Sequence, residues 1–550
     1  MLQQALFLLA LLRVHSAPLL GAEFTSVPPA LCDIIPASIG RFVIPGTSTL
    51  APVDAQGWPT ADAAIEVFDA RPSGTPPVDP LAFVPSVYGA YSLSFVGRGT
   101  VVVPDVLNFT LTDLAFDPAT FTTSATLTLL PPLPALAFSI AGSQRSPSSP
   151  PGSGFQRLRL LQPPAPLPCM GLFTPQAVAA VAPFAHLRFM QWGYGWWVDN
   201  YTSPASPGAP AIAWQDRMLL SDAVWQPRAG AAGAPWETVV LFAQRTGKSL
   251  WLTVPVQATD AYIASLALLL RDGSADTGGV GVPAGCAVYL EHGNEVFLNA
   301  SVGGPSATYA WNRAQAQAEV AADPASPLAQ GSSDPEVWGY RRHLLRLTQI
   351  SAIVRSVLGA PRVRAVFGWT MAFPAELAAL LQWYTGAFGE ASLRSQVYGV
   401  AVNSYAVAGI VPGSTQASVL AQVRSASQAN APLRAAIAGI LAAHSGLRLL
   451  SYEGALVAIP VGGSAPETTG TIIQANRAAG WGAEMLRDYA AWGEVGGAEY
   501  NFFSLSSQYG EDTPIPVYQW GLTEDTHVLN TSKLDAVWAI LASGGLSIKA

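Results

Sequence analysis

Charged side chains are scarce in this chain: they make up 12% of its 550 residues, and the formal net charge at pH 7 is -8. No stretch of Lys and Arg is dense enough to neutralise a phosphate backbone or an anionic lipid surface, so neither nucleic acid nor a charged membrane is expected as a partner. Cysteine is scarcer still. Cys32, Cys169 and Cys286 lack metal-ligand spacing, which excludes a cysteine zinc site and allows at most one internal disulfide. The plain expectation for them is buried thiols without chemistry. Unbroken apolar runs of the roughly 20 residues needed to cross a bilayer are also missing, so no membrane insertion is expected. Glycine-rich phosphate loops do not follow any apolar strand, which counts against a doubly wound nucleotide-binding sheet.

Hydrophobic residues, by contrast, supply 50% of the composition, enough for one large core or two smaller ones. The opening MLQQALFLLALLRVHSAPLLGAEF has a short apolar centre from Ala5 to Leu12 followed by small residues, the pattern of a secretory leader, here assigned to residues 1–22. Processing after Ala17 or after Ala22 fits that pattern. Sequons at Asn108, Asn200, Asn299 and Asn530 agree with a secreted, extracellular protein.

Along the chain the texture changes twice. SIGRFVIPG, from Ser38 to Gly46, carries Phe42, Val43 and Ile44 between turn formers and reads as a first buried strand, within a segment of residues 23–72. Residues 73–168 then alternate apolar with small polar positions, as in YSLSFVGRGTVVV and TTSATLTLL, and are expected to form an antiparallel β-rich domain inserted between barrel strands one and two. FQRLRLLQ, from Phe155, is as apolar as any barrel strand and is assigned to this insert. From residue 169 to 550 strands alternate with helices: LRFMQW, SLWLTVP, AVYLEHG, VRAVFGW, VYGVAVNSY, LRLLSYEG and EYNFFSLSS give seven more strands. Eight strands alternating with helices predict an α/β fold, a closed (β/α)8 TIM barrel.

Two of those strands end in a carboxyl group. VYLEHGNEVFLN delivers Asn294 and Glu295 at the end of strand four, and LRLLSYEG delivers Glu453 at the end of strand seven. Barrel enzymes keep their chemistry where strands meet loops, and a pair of carboxyls there is the equipment of glycoside hydrolysis. Period-two alternation puts Glu291, Gly293 and Glu295 on one side of their strand and Ser451 and Glu453 on one side of theirs. Inward Glu291 then needs a partner, which inward Arg188 supplies while also favouring an ionised Glu453. His292, of opposite parity, reads as a hydrogen-bonded wall residue.

These motifs resemble clan A of the glycoside hydrolases, in which Asn-Glu ends strand four and a nucleophilic Glu ends strand seven. The likeness extends to Arg188 in LRFMQW and to Tyr405 in VNSY, where the clan keeps an arginine and an aromatic partner for the nucleophile. LRFMQW, PVQATDAYI, YLEHGNEVFLN, LSYEG and NFFSLSS also resemble, in order and spacing, a little-characterised family of secreted barrel glycosidases with a YSNEVWN-type strand-four motif. Val256, Phe297 and Ala455-Leu456-Val457 depart from that family's histidine, tryptophan and glycine-glutamine-histidine. The resemblance implies a secreted retaining glycoside hydrolase acting on an oligo- or polysaccharide without metal or organic cofactor, with Glu295 as acid/base and Glu453 as nucleophile. Asn294, Arg188 and Tyr405 are then expected to contact substrate or nucleophile, and Trp192, Trp369 and Trp520 to offer faces for sugar stacking, with Tyr194, Trp196 and Trp197 as further aromatics. The alternative is a barrel that has lost activity and serves as a carbohydrate-binding or cell-surface protein. If the enzyme reading holds, Asn299, near the barrel mouth, is expected to carry no glycan.

Overall fold

A computed structural model describes residues 19–23, 30–36, 38, 40–69, 88–104, 109–131, 135–163, 171–190, 207–225, 234–299, 306–444, 446–461, 466–507, 509 and 520–543. In chain order the strands among them are β1 (Leu19–Glu23), β2 (Ala63–Asp69), β3 (Gly89–Val96), β4 (Arg98–Val102), β5 (Phe109–Asp117), β6 (Thr122–Leu129), β7 (Ala135–Gln144) and β8 (Gln156–Leu161). They continue with β9 (His186–Arg188), β10 (Ser249–Val254), β11 (Val288–His292), β12 (Val363–Trp369), β13 (Gly399–Asn403), β14 (Ala406–Ile410), β15 (Arg448–Gly454), β16 (Leu456–Pro460) and β17 (Gly497–Phe502).

Eight of these close into a parallel barrel in the order β1-β17-β15-β13-β12-β11-β10-β9. Their sequences are near-continuous apolar runs because both faces are covered, one by the barrel interior and one by helices. SLWLTV and VYLEH, for example, are buried at almost every position. The helices start where the sequence caps them: Thr259 accepts from Tyr262 N at the head of Asp260–Asp272, which Gly273 ends, and Asp334 caps Pro335–Leu358. Among the described residues no helix is long and apolar enough to cross a membrane.

Barrel strands two to eight fall where the sequence puts them, but strand one does not. It is β1, which pairs with β17 from Leu19↔Glu499 and with β9 from Gly21↔His186. Ser38–Gly46 belongs elsewhere: Val43 bridges antiparallel to Ala64, and Phe42 lies in the core of the antiparallel unit. A short apolar segment between turn formers has the same local signature in either setting, and only the available partner strand separates the two. Processing after Ala22 would remove four of the five residues of β1, whereas processing after Ala17 spares the strand; residues 1–18 lie outside those described.

In the sequence, β2 to β8 fall between β1 and β9. They pair antiparallel as two sheets, β2-β7-β4 and β5-β6-β3-β8. The inward residues of both, among them Ile65, Phe138, Leu93, Leu127 and Leu160, share one apolar core, as alternating patterning requires. FQRLRLLQ supplies β8, at the edge of the four-stranded sheet. Cys32 is disulfide-bonded, so the expectation of inert thiols fails there; Cys286 is a buried free thiol and Cys169 lies outside the described residues.

Candidate active site

Arg188, the last residue of β9, is completely buried inside the barrel. A guanidinium there must be matched by anions or acceptors on every side. Its Nε and one terminal nitrogen donate to the two oxygens of Glu291, at 3.0 and 3.2 Å, and Trp251 Nε1 donates to the same carboxylate at 3.0 Å. The other terminal nitrogen donates to Glu453 Oε1 at 2.6 Å, and the nitrogen shared with Glu291 also donates to Asn294 Oδ1 at 2.9 Å. One arginine thus ties together the ends of barrel strands two, four and seven.

Glu453 uses both oxygens as acceptors. The second accepts from the Tyr405 hydroxyl at 2.7 Å, and burial holds that phenol well above its ordinary pKa, so it stays a donor. Tyr405 follows β13 directly, and its own carbonyl accepts from Asn430 Nδ2 at 2.8 Å, which fixes the loop.

Glu295 arrives differently. The chain leaves β11 through Gly293 at φ 64°, and Glu295 itself adopts φ 49°, a left-handed conformation that costs an ordinary side chain about 1–2 kcal/mol. Neighbouring bonds hold it there: Ser306 Oγ donates to the Glu295 carbonyl at 3.2 Å and Thr308 Oγ1 to the Asn294 carbonyl at 2.9 Å. The side chain is half-buried, as is Asn294, so both are open to the barrel mouth. Glu295 Oε1 accepts from the Tyr452 hydroxyl at 2.9 Å. Burial, then the negative charge of Glu453, pushes the Glu295 carboxyl up to about 7, against the pull of Tyr452 and Arg188.

Tyr452 is the residue of the candidate site that period-two reading misses. The ladder between β15 and its neighbours shifts register at this point, from Val402↔Ser451 to Asn403↔Glu453 on one side and between Ser451 and Gly454 on the other. The extra residue of this bulge turns Tyr452 inward beside Glu453, with its ring 5.0 Å from the Arg188 guanidinium. An aromatic directly before the strand-seven acid was the available signal, but a bulge leaves no mark in the sequence. Trp251 was likewise hidden, reading as one more apolar residue of SLWLTV.

Of the proposed sugar platforms, Trp520 is half-buried at the site, its ring 6.4 Å from Tyr405 and 5.0 Å from Phe503. Trp369 is not at the site's surface. It is 0% exposed, stacks on Phe367 at 21°, meets Tyr340 edge-on and donates its N–H to the Phe373 carbonyl, so it is a core residue rather than a platform. Its place at the end of a strand was the misleading feature. Trp192, Tyr194, Trp196 and Trp197 lie outside the described residues. His292 points away from the acids, its Nδ1 2.9 Å from His343 Nδ1, and His343 Nε2 donates to the Gly368 carbonyl at 3.1 Å. Asn299 is buried, its amide donating to the Glu336 carboxylate and, at 2.9 Å, to the Tyr340 hydroxyl.

No protein-family model matches this chain, and no curated protein is significantly similar to it in sequence. Among solved structures it is similar to the GH51 arabinofuranosidase from Xanthomonas axonopodis pv. citri, with 11% identity and a TM-score of 0.39 over 69% of this chain and 68% of that one. A 4-O-alpha-L-rhamnosyl-beta-D-glucuronidase from Fusarium oxysporum 12S aligns with 13% identity and a TM-score of 0.36, covering 68% of this chain and 65% of the other. The CBM22-1-GH10 modules of the Clostridium thermocellum xylanase 10B, complexed with xylohexaose, align over 96% of this chain and 98% of theirs, at 9% identity and a TM-score of 0.34. Likeness at this level assigns no residue a role.

Proposed function

We propose that the protein is a retaining glycoside hydrolase in which Glu295 is the acid/base and Glu453 the nucleophile. The observation that carries this is the contrast between two carboxyls in one barrel mouth. Both oxygens of Glu453 accept, from a guanidinium and a phenol, whereas Glu295 is raised to about 7 and holds a proton near neutral pH. A double displacement needs that division: a carboxylate that attacks the anomeric carbon, and a carboxylic acid that protonates the leaving oxygen and later deprotonates water. Retaining hydrolysis requires two carboxyls about 5 Å apart, and that separation is expected of Glu295 and Glu453. Asn294 gives its oxygen to Arg188, which leaves its N–H groups to donate to the hydroxyl beside the anomeric carbon. Trp520, at the edge of the site, is the aromatic face for the sugar ring.

Export accords with the disulfide at Cys32, since such bonds persist in oxidising compartments. In this reading processing follows Ala17, ahead of β1, and a glycan is carried by exposed Asn530 rather than by buried Asn299.

A screen of 4-nitrophenyl glycosides, with Glu453→Gln as the blank, tests the reading. Turnover of at least one sugar by the wild type and not by the variant supports it. Equal rates in both proteins, or none across the panel, would reject it.

A further inference from the structure

His186 stands two residues before Arg188 on β9, and so on the same inward side of the barrel. Register fixes its neighbours. β1 runs between β9 and β17, and Gly21 is level with both His186 and Asn501, while Glu499 lies two residues earlier on β17. His186, Asn501 and Glu499 are all 0% exposed.

A Cβ on Gly21 would collide with both His186 Nε2 and Asn501 Oδ1, so these two atoms converge on the space that the glycine leaves. On the other side of the ring, His186 Nδ1 faces Glu499 Oε2 at 3.7 Å. That is beyond hydrogen-bond reach, whichever of the two groups holds a proton. Both ring nitrogens, Glu499 Oε2 and Asn501 Oδ1 therefore lack a protein partner, and all four atoms are buried in one place. The rest of each group is engaged. Glu499 Oε1 accepts from the Tyr398 hydroxyl at 2.7 Å and from the Tyr289 hydroxyl at 3.0 Å, and Asn501 Nδ2 donates to the Tyr452 carbonyl at 2.8 Å. The imidazole itself is confined by the Tyr289 and Trp251 rings, whose centroids lie 4.9 and 5.7 Å from its own.

His186 cannot satisfy both neighbours. Burial, then the charge of Arg364, lowers the imidazole to about 3, so the ring is neutral and has one N–H and one lone pair to set against an acceptor on each side. Buried polar groups held just too far apart to bond are bridged by water, which both donates and accepts and needs two to four polar partners. A metal ion fits less well. Each side of the ring offers one nitrogen and one oxygen where zinc takes four ligands, and among the described residues no three His, Cys, Asp or Glu side chains gather. We propose that the barrel holds two built-in water molecules, one bridging His186 Nδ1 to Glu499 Oε2 and one bridging His186 Nε2 to Asn501 Oδ1 in front of Gly21. Water on Oδ1 fixes which way round the Asn501 amide lies, with Nδ2 on the carbonyl of Tyr452 in the bulge beside Glu453. The hydrated site thereby supports the bulge from inside the barrel, and it stands whether or not the protein cleaves glycosides.

A high-resolution crystal structure of the wild type at neutral pH is expected to show a water within hydrogen-bond distance of both atoms of each pair. Direct bonds from His186 to Glu499 or to Asn501 with no water between them would overturn the proposal. Anomalous scattering at either place in crystals grown with rubidium chloride would make the occupant a cation and would overturn it too. In solution, oxygen-17 magnetic relaxation dispersion counts the waters that stay inside the protein. His186→Phe is expected to lower that count by two, and Gly21→Ala, whose methyl enters the space in front of Asn501, to lower it by one. Should His186→Phe fail to fold, Gly21→Ala carries the solution test, and the wild-type crystal structure decides without any variant. An unchanged count in a folded variant would contradict the proposal.

Discussion

The Tyr452 hydroxyl donates to Glu295 at 2.9 Å, although Tyr452 neighbours the other acid, Glu453, in the chain. Glu295 is therefore positioned by the strand that carries Glu453. Donation to a carboxylate favours the charged form, so Tyr452→Phe should raise the Glu295 pKa above about 7, by about one unit for the loss of a hydrogen bond to a charged group. In the proposed mechanism the acid is protonated Glu295, so the alkaline limb of the kcat/KM profile should move to higher pH. A limb that moves down or stays put would contradict the pairing.

Glu295 should also lower stability where it is ionised. Its folded pKa, about 7, lies above the ordinary carboxyl value of 4.5, so the folded protein holds this proton more tightly. Stability from this group is present at low pH and is lost as pH rises from about 4.5 through about 7. Glu295→Gln should raise the melting temperature at pH 8 and change it little at pH 4, as calorimetry of both proteins would show.

Arg188 holds Glu291, Glu453 and Asn294 together, and Arg188→Met strips buried carboxylates of their countercharge. The expected cost is about 3–5 kcal/mol in urea denaturation, with loss of activity. Arg188→Lys should not restore it, because one ammonium cannot reproduce the planar fork that meets three side chains.

Much of this site was legible in the sequence because its parts sit at the ends of long apolar strands. Glu295, Glu453 and Tyr405 each follow such a run, Arg188 lies within LRFMQW, and Glu291 could be paired with Arg188 by parity alone. Two kinds of information were not local. β1 is five residues at the tail of a leader-like segment, too short for any period to show, and it is a barrel strand only because β9 and β17 flank it. Tyr452 points inward only because a bulge breaks the alternation, and Trp369 is core only because Phe367, Tyr340 and Phe297 enclose it.

The His292–His343 pair makes a separate prediction about acid. Burial lowers both imidazoles, His343 to about 4 and His292 well below its ordinary value, and the chain of bonds from His292 to His343 to the Gly368 carbonyl requires them neutral. The unfolded chain then takes up protons first. Stability is full above about pH 6.5 and falls as pH drops towards about 4. His343→Gln should flatten that fall in a series of urea titrations, whereas an unchanged slope would show that the pair does not titrate on unfolding.

Trapping a covalent intermediate tests most directly whether Glu453 attacks the sugar while Glu295 moves protons. Glu295→Gln, supplied with a 2,4-dinitrophenyl glycoside whose leaving group needs no protonation, should glycosylate Glu453 and then stall, because the base that activates water is missing. Mass spectrometry of the digested protein is expected to show one added sugar on the peptide that contains Glu453. A sugar on any other residue, or a product whose anomeric centre has inverted without any adduct, would contradict the account.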